Sequence, residues 1–334
     1  MSRAAVLELL RRREGTYCSG EEIAAGLGLS RAAVWKAVQT LREQGYEIEA
    51  RTGLGYRLLA APDTLSEAEI RSFLGETAVV GYRLHCFDTI DSTNTYIRQI
   101  ALEGAPDGTV AIANQQTLGR GRMGRSFQSP RNKGIYLTAL LRPRLPVERL
   151  LPVTALAGVA VCDAVERVCG IRPGIKWPND PVIGRKKVCG ILTELSVEGE
   201  TGALQSLALG IGLNVHQQAE DFTPEVAEMA TSLDAALGRT VSRPALAAAL
   251  IEALDRLYAD LMTGELDAYL AALRRDCVNL GKTVQMLHPD GTREVAAAIG
   301  IDEEFGLIVR NEAGVERVVR SGEVSVRGMY GYID

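Results

Sequence analysis

Histidine is scarce in this chain of 334 residues, with three copies at His85, His216 and His288. The six cysteines, Cys18, Cys86, Cys162, Cys169, Cys189 and Cys277, form no Cys-x-x-Cys pair and no regular framework. These shortages leave a zinc site and a disulfide scaffold without support. Cysteines scattered among apolar neighbours read instead as small core residues in a reducing compartment. No long hydrophobic run occurs either. The most apolar stretch, 150–162, is too short to span a bilayer and contains Pro152 and Thr154, so it reads as a buried helix. The opening MSRAAVLELLRRREG is amphipathic and ends in charge, unlike a signal peptide. A cytoplasmic protein with no membrane partner is expected. Positive charge is not in excess: 37 Lys and Arg against 42 Asp and Glu leave −5, which argues against a surface broadly coated for nucleic acid.

The charge that is present lies unevenly. Residues 1–60 hold nine basic and seven acidic side chains, against 28 and 35 in the remainder. A locally basic head on an acidic body suits a DNA-binding module joined to something else. Residues 3–13 predict a helix with Val6, Leu7, Leu9 and Leu10 as its buried stripe. Ser19 and Glu22 have the spacing of a capping box for a second helix ending near Leu27, with Gly28 as the turn. Ser30 caps a third helix that runs to about Gln44 and stops at Gly45. In it Val34, Ala37, Val38 and Leu41 share one face. The other face carries Arg31, Ala32, Trp35, Lys36, Gln39 and Thr40. Alternation over 46–50 and 56–58 about the turn Thr52-Gly53-Leu54-Gly55 predicts a hairpin wing. A winged helix of this kind docks on DNA or on protein. Small, amide and basic side chains on the polar face favour DNA, with Arg31, Ala32, Lys36, Gln39 and Thr40 as the contacts. One weakly charged copy would bind poorly, so a dimer reading two half-sites is expected.

A linker at 60–64 precedes a longer stretch, 65–277, without the strict strand–helix alternation of a Rossmann domain. Strands are expected near 109–113, 135–141, 188–195 and 204–211. Helices are expected near 93–103, 149–169, 242–263 and 265–275. The fold class is then α+β, with segregated helices over a mostly antiparallel sheet. Beyond Val278 short alternating strands at 283–287, 294–301, 306–310, 316–319 and 324–326 suggest a small SH3-like β-barrel over 278–334. The three domains are therefore 1–60, 65–277 and 278–334.

Four segments of the central stretch stand out. Asp91-Ser92-Thr93-Asn94 opens a helix and, taken alone, reads as an N-cap. Gln116 to Arg125 alternates glycine with arginine and lacks the Gly-Lys-Ser/Thr end of a P-loop. Its glycines free the backbone to wrap a ligand whose negative charge the arginines face, although a solvated basic loop or an RNA-binding tract has similar composition. Lys176-Trp177-Pro178-Asn179-Asp180 closes a strand into a turn. Gly184-Arg185-Lys186-Lys187 leads into the strand Val188–Leu192.

In order and spacing, DSTN, QTLGRGRMGR, KWPND, RKKVCGILTEL and LGIGLN resemble the biotin–protein ligases. The N-terminal SGEEIAAGLGLSRAAVWKAVQTLREQG resembles their bifunctional members, the biotin operon repressors. The resemblance covers essentially the whole chain. It implies a central domain related to class II aminoacyl-tRNA synthetases and lipoate ligases. Such enzymes join biotin to the α-phosphate of ATP as biotinyl-5′-AMP, then pass it to a lysine of a biotin carboxyl carrier protein. By position, Ser92, Thr93, Asn94 and Gln116 would hold the ureido head of biotin. Arg120, Gly121 and Arg122 would belong to the loop that closes over it, and Lys187 would approach both the carboxylate and the phosphate. Lys187 and Arg122 would be the catalytic pair. Lys176, Trp177, Asn179, Asp180, Gly190, Asn214 and Arg327 would surround the nucleotide, with Asp180 as a Mg2+ contact. Operator DNA and a homodimer formed around the adenylate are the other implied partners. Met123 and Phe127 depart from the family pattern. A regulator that senses the adenylate without transferring it, and a lipoate-type ligase, are the alternatives.

Overall fold

The computed structural model describes residues 2–13, 15–121, 124–199, 203–288, 290–320, 325–329 and 331–333. The chain divides into two units, Met1–Thr64 and Leu65–Asp334.

In the first unit three helices, α1 (Ser2–Arg12), α2 (Gly20–Leu27) and α3 (Arg31–Glu43), precede an antiparallel hairpin of β1 (Glu47–Arg51) and β2 (Gly55–Ala60). The capping box forms as the spacing predicts. Ser19 Oγ accepts from the Glu22 N–H at 3.1 Å, and the Ser19 N–H donates to the Glu22 carboxylate at 2.8 Å. Gly28 ends α2 with φ 64°, a conformation that favours glycine. Val34, Ala37, Val38 and Leu41 of α3 are buried with Val6, Leu10 and Ile23. Opposite them Arg31, Ala32, Trp35 and Lys36 are exposed, while Gln39 and Thr40 are half-buried. The Thr40 hydroxyl is turned back onto its own helix, donating to Lys36 O at 3.0 Å.

The second unit runs α4 (Glu67–Arg71), β3 (Leu84–Phe87), α5 (Thr93–Leu102), β4 (Val110–Ala113), β5 (Gly134–Leu141) and α6 (Val153–Cys169). It continues with β6 (Gly174–Lys176), β7 (Asp180–Ile183), β8 (Lys186–Lys187), β9 (Cys189–Val197) and β10 (Leu204–Asn214). Then come α7 (Pro224–Ala227), α8 (Leu233–Leu237), α9 (Arg243–Thr263) and α10 (Asp267–Asp276). Its main sheet has the order β3-β4-β5-β10-β9, antiparallel except for β3 with β4.

Strand alternation divides the core. Ile112, Leu137 and Leu209 face the layer of α6 and α9, whereas Ala111, Leu140 and Ala208 face Ile97, Ile100 and Ala101 of α5. The helices therefore cover both faces rather than segregating to one. Every residue of β5 is buried, so neither face of the sheet can be left to water. The apolar stretch at 150–162 falls mainly within α6, which is buried along nearly its whole length. No helix among the described residues is long and apolar enough to cross a membrane.

Two further features differ from the sequence expectation. Residues 174–187 form a separate three-stranded sheet, β6-β7-β8, whose register sets Lys176 opposite Asp180. The C-terminal strands β11 (Thr283–Leu287), β12 (Arg293–Ile301), β13 (Leu307–Arg310), β14 (Glu316–Val319) and β15 (Ser325–Gly328) form an antiparallel sheet in the order β14-β13-β12-β11-β15. Among the described residues β14 and β15 do not pair, so the closed barrel expected there is an open sheet. Closure needs the two edges to meet in a common stagger, and β14 and β15 lie at opposite edges of this five-stranded sheet.

Candidate active site

One cavity of about 450 Å³ collects the N-terminus of α5, the glycine–arginine loop, the small β6-β7-β8 sheet, the centres of β9 and β10, and the C-terminal sheet. Ser92, Thr93, Asn94, Gln116, Arg120, Gly121, Lys176, Trp177, Asn179, Asp180, Lys187, Gly190 and Arg327 all line it. These residues come from widely separated positions and were singled out from sequence. Asn214 is not among the lining residues. It is buried at the end of β10, where its Nδ2 donates to Thr231 O at 3.1 Å and its Oδ1 accepts from Gln217 Nε2 at 3.1 Å. Arg122 and Met123 lie outside the described residues.

The end of the cavity at α5 is a web of hydrogen bonds among hydroxyls and amides, backed by one carboxylate. Gln116 Oε1 accepts from both the N–H and the hydroxyl of Thr93, at 2.9 and 3.0 Å, and Gln116 Nε2 donates to Ser129 Oγ at 2.9 Å. The buried Thr138 hydroxyl on β5 donates to Asn94 Oδ1 at 2.7 Å and lies 2.8 Å from Thr93 Oγ1. Asn94 Nδ2 donates to Glu194 on β9 at 2.9 Å, and the same carboxylate pairs with Arg98 at 3.2 Å and Arg120 at 3.5 Å. Ser92 caps α5, its Oγ accepting from the Thr95 N–H. The N-cap reading of this segment therefore holds, and the same residues also line the cavity.

Glycines on β9 and β10 make the middle of the cavity. Gly190 and Gly212 pair across the two strands. A Cβ on Gly212 would lie 2.5 Å from the Phe127 ring, and one on Gly190 would lie 2.9 Å from it. A Cβ on Gly210 would fall 2.0 Å from Asn94 Oδ1. Only a residue without a side chain lets the ring and the amide approach the sheet this closely. Phe127 meets Tyr136 edge-on, with ring centroids 6.4 Å apart.

The far end is charged. Lys187 Nζ lies 2.5 Å from Asp180 Oδ1, the Tyr332 hydroxyl donates to Asp180 Oδ2, and Lys176 Nζ sits 4.1 Å from the centre of the Tyr332 ring. Burial pushes the Asp180 carboxyl up. Lys187, Lys176 and the two hydrogen bonds outweigh it and hold the group below the usual carboxylate range. Burial pushes all six cysteine thiols up, so none is tuned as a thiolate nucleophile. Among the described residues no group of three His, Cys, Asp or Glu side chains could hold a metal ion. Asp180, the one acidic candidate, has both oxygens engaged by Lys187 and Tyr332 and does not fit a resident magnesium ligand. Trp177 is 1% exposed and acts as a tie. Its N–H donates to Asn279 Oδ1 at 2.7 Å, and its indole Nε1 donates to Phe305 O at 3.0 Å. Asn179 is equally buried, its Nδ2 donating to Ile191 O at 3.3 Å.

Sequence reasoning missed Glu194, Thr138, Ser129, Arg125 and Tyr332. Glu194 lay within the quoted RKKVCGILTEL segment. Arg125 closed the Gln116 to Arg125 segment, whereas Thr138, Ser129 and Tyr332 carried no local signal, because each reaches the site through the packing of distant elements.

A family model described as HTH domain matches residues 3–57, and one described as Biotin/lipoate A/B protein ligase family matches residues 86–214. A helix-turn-helix module joined to a ligase of that class is thus what fold and site together define. The chain is 37% identical over 316 residues to the bifunctional ligase/repressor BirA of Bacillus subtilis (strain 168), covering 95% of this chain and 96% of the relative. It is 29% identical over 315 residues to the bifunctional ligase/repressor BirA of Escherichia coli (strain K12), covering 94% of each. Among solved structures, the biotin protein ligase from Aquifex aeolicus in complex with biotin and ATP matches with a TM-score of 0.64 at 28% identity, over 74% of this chain and 99% of that one. The chain belongs to the family of bifunctional biotin ligase/repressors.

Proposed function

We propose that the chain activates biotin with ATP as biotinyl-5′-AMP, transfers it to a lysine of a biotin carboxyl carrier protein, and represses transcription through its N-terminal unit. The observation that carries the ligase reading is the polarity of the cavity. An end lined by hydroxyls and amides, a glycine-floored apolar middle and a two-lysine end match a ureido ring, an apolar body and a carboxylate beside a phosphate.

In this reading Ser92, Thr93, Asn94 and Gln116 recognise the ureido group, and Phe127 lies against the body of the substrate. Lys187 serves the carboxylate and the α-phosphate. Two anions must meet, and a unit charge about 4 Å away contributes on the order of 4 kcal/mol at an effective dielectric of 20. The Lys187 ammonium stabilises charge that builds on the phosphoryl oxygens as the new bond forms. Lys176, Asn179, Asp180, Gly190 and Arg327 surround the nucleotide, and Asn214 supports that wall from behind. Arg120, Gly121 and Arg122 cover the adenylate and keep water from the mixed anhydride. Magnesium belongs to the ATP substrate and offsets phosphate charge. No histidine or cysteine takes part.

The domains are read as 1–60, 65–277 and 278–334, the last an open relative of the SH3-like barrel. Arg31, Ala32, Lys36, Gln39 and Thr40 are read as the operator contacts. The repressing form is a homodimer favoured by the adenylate, which requires the adenylate to bind dimer better than monomer. The setting is the cytoplasm.

The test supplies the full chain with ATP, magnesium, a carrier domain, and either labelled biotin or labelled lipoate. Label from biotin alone on the acceptor lysine is expected. Label from lipoate would move the chain to the lipoate-type ligases, and label from neither would leave an adenylate-sensing regulator.

A further inference from the structure

Tyr332 enters the charged end of the cavity. Tyr332 comes from beyond β15, 152 positions from Asp180, and its hydroxyl donates to that carboxylate. Its ring lies under the Lys176 ammonium. Three partners thus share one half-buried acid: Lys187, Tyr332 and, through the ring, Lys176. The neighbouring Trp177 is bound to Phe305 of the C-terminal sheet, and Arg327 lines the same cavity. This sheet is therefore fixed to the strand that carries Asp180, and Tyr332 is held where it stands.

The arrangement raises a physical problem for the reaction. Lys187 is neutralised by Asp180 at 2.5 Å, yet it must turn its charge to two incoming anions. Leaving a half-buried carboxylate without a partner carries a cost. A second donor on that carboxylate lowers the cost of letting the lysine go. We propose that Tyr332 is a positioning residue for adenylate formation: its hydroxyl holds Asp180 while Lys187 serves the substrates. This rests on the ligase reading. Tyr332 makes no bond to reacting atoms and acts through Asp180. The role belongs to the first half-reaction, in which carboxylate and phosphate meet, and not to the second, in which the anhydride is already made.

The two half-reactions separate the possibilities. Tyr332→Phe removes the hydroxyl and keeps the ring. Adenylate formation from biotin and ATP, followed in a single turnover with the full chain, is expected to fall by about ten-fold, the size of one buried hydrogen bond to a charged group. Transfer to the carrier lysine from supplied biotinyl-5′-AMP is expected to stay at the wild-type rate. In a double-mutant cycle the Tyr332→Phe effect is expected to vanish on an Asp180→Asn background, because the charge that the hydroxyl serves is gone. Wild-type adenylate formation by Tyr332→Phe would overturn the proposal. So would an equal fall in both half-reactions together with a lowered melting temperature, which marks a structural tyrosine. A wild-type chain that makes no adenylate would sink the ligase reading itself, before any variant is compared.

Discussion

In the proposed reaction, the ion pair of Lys187 and Asp180 is the one on which the chemistry turns. Lys187→Ala removes the cation that lets carboxylate and phosphate meet. Adenylate formation, read as biotin-dependent pyrophosphate exchange, is expected to fall by roughly three orders of magnitude, the rate equivalent of about 4 kcal/mol. The fold is expected to survive, since Asp180 keeps Tyr332 and Lys176 near it. Near-wild-type exchange would remove Lys187 from the mechanism. Asp180 makes a separate statement about pH. Its carboxyl is held below the ordinary range, so the stability it contributes is complete above its unfolded value of about 3.9 and is lost as pH falls through the lower folded value. Melting temperatures taken from neutral to acid pH are therefore expected to drop less steeply for Asp180→Asn than for the wild type. Parallel curves would show that this carboxylate contributes nothing to acid sensitivity. At the glycines the argument is steric. Gly212→Ala sets a methyl 2.5 Å from Phe127, so the ring must shift and biotin binding by calorimetry is expected to weaken by about ten-fold, in line with the cost of overpacking. Unchanged affinity would mean that the ring yields freely.

At the scale of elements, α3 and the small β6-β7-β8 sheet contrast. In α3 the 3.6-residue period set out one apolar face and one polar face, and burial follows it position by position. Lys36 stands exposed on the polar face. Its replacement by alanine is expected to weaken operator and non-operator DNA alike and to lower the slope of log affinity against log salt by about one. An unchanged slope would place Lys36 off the phosphates. Helices and strands of the main sheet were legible for the same reason, because long apolar periods and Gly or Ser caps are local. The β6-β7-β8 sheet was not. Its strands span two to four residues, too short to show a period, and β6 with β7 reads locally as Pro-Asn-Asp turn chemistry. Yet its register is what sets Lys176 against Asp180.

At the scale of the whole molecule, β9 is an edge of the main sheet and exposes Leu195 and Val197. An edge strand with unpaired backbone groups and apolar side chains invites another strand. The homodimer proposed above is expected to use this edge. Sedimentation of the chain with biotinyl-5′-AMP is expected to show dimer, and Val197→Asp is expected to shift it to monomer while adenylate synthesis continues. A variant that dimerises as well as wild type would move the interface elsewhere.

By itself the sequence determined the α+β class, the winged helix, the order of the long elements, and thirteen residues that line one cavity. It did so because caps, turns and hydrophobic periods act over a few residues, and because the motif residues stand in runs that resemble those of the biotin–protein ligases. Tertiary structure alone decided that helices cover both faces of the sheet, that the C-terminal strands stay open among the described residues, and that Asn214 is buried without lining the cavity. It also brought Thr138, Glu194 and Tyr332 into the site. Those contacts join positions 45 to 152 residues apart, a separation that no local pattern encodes and that only packing around a common core can close.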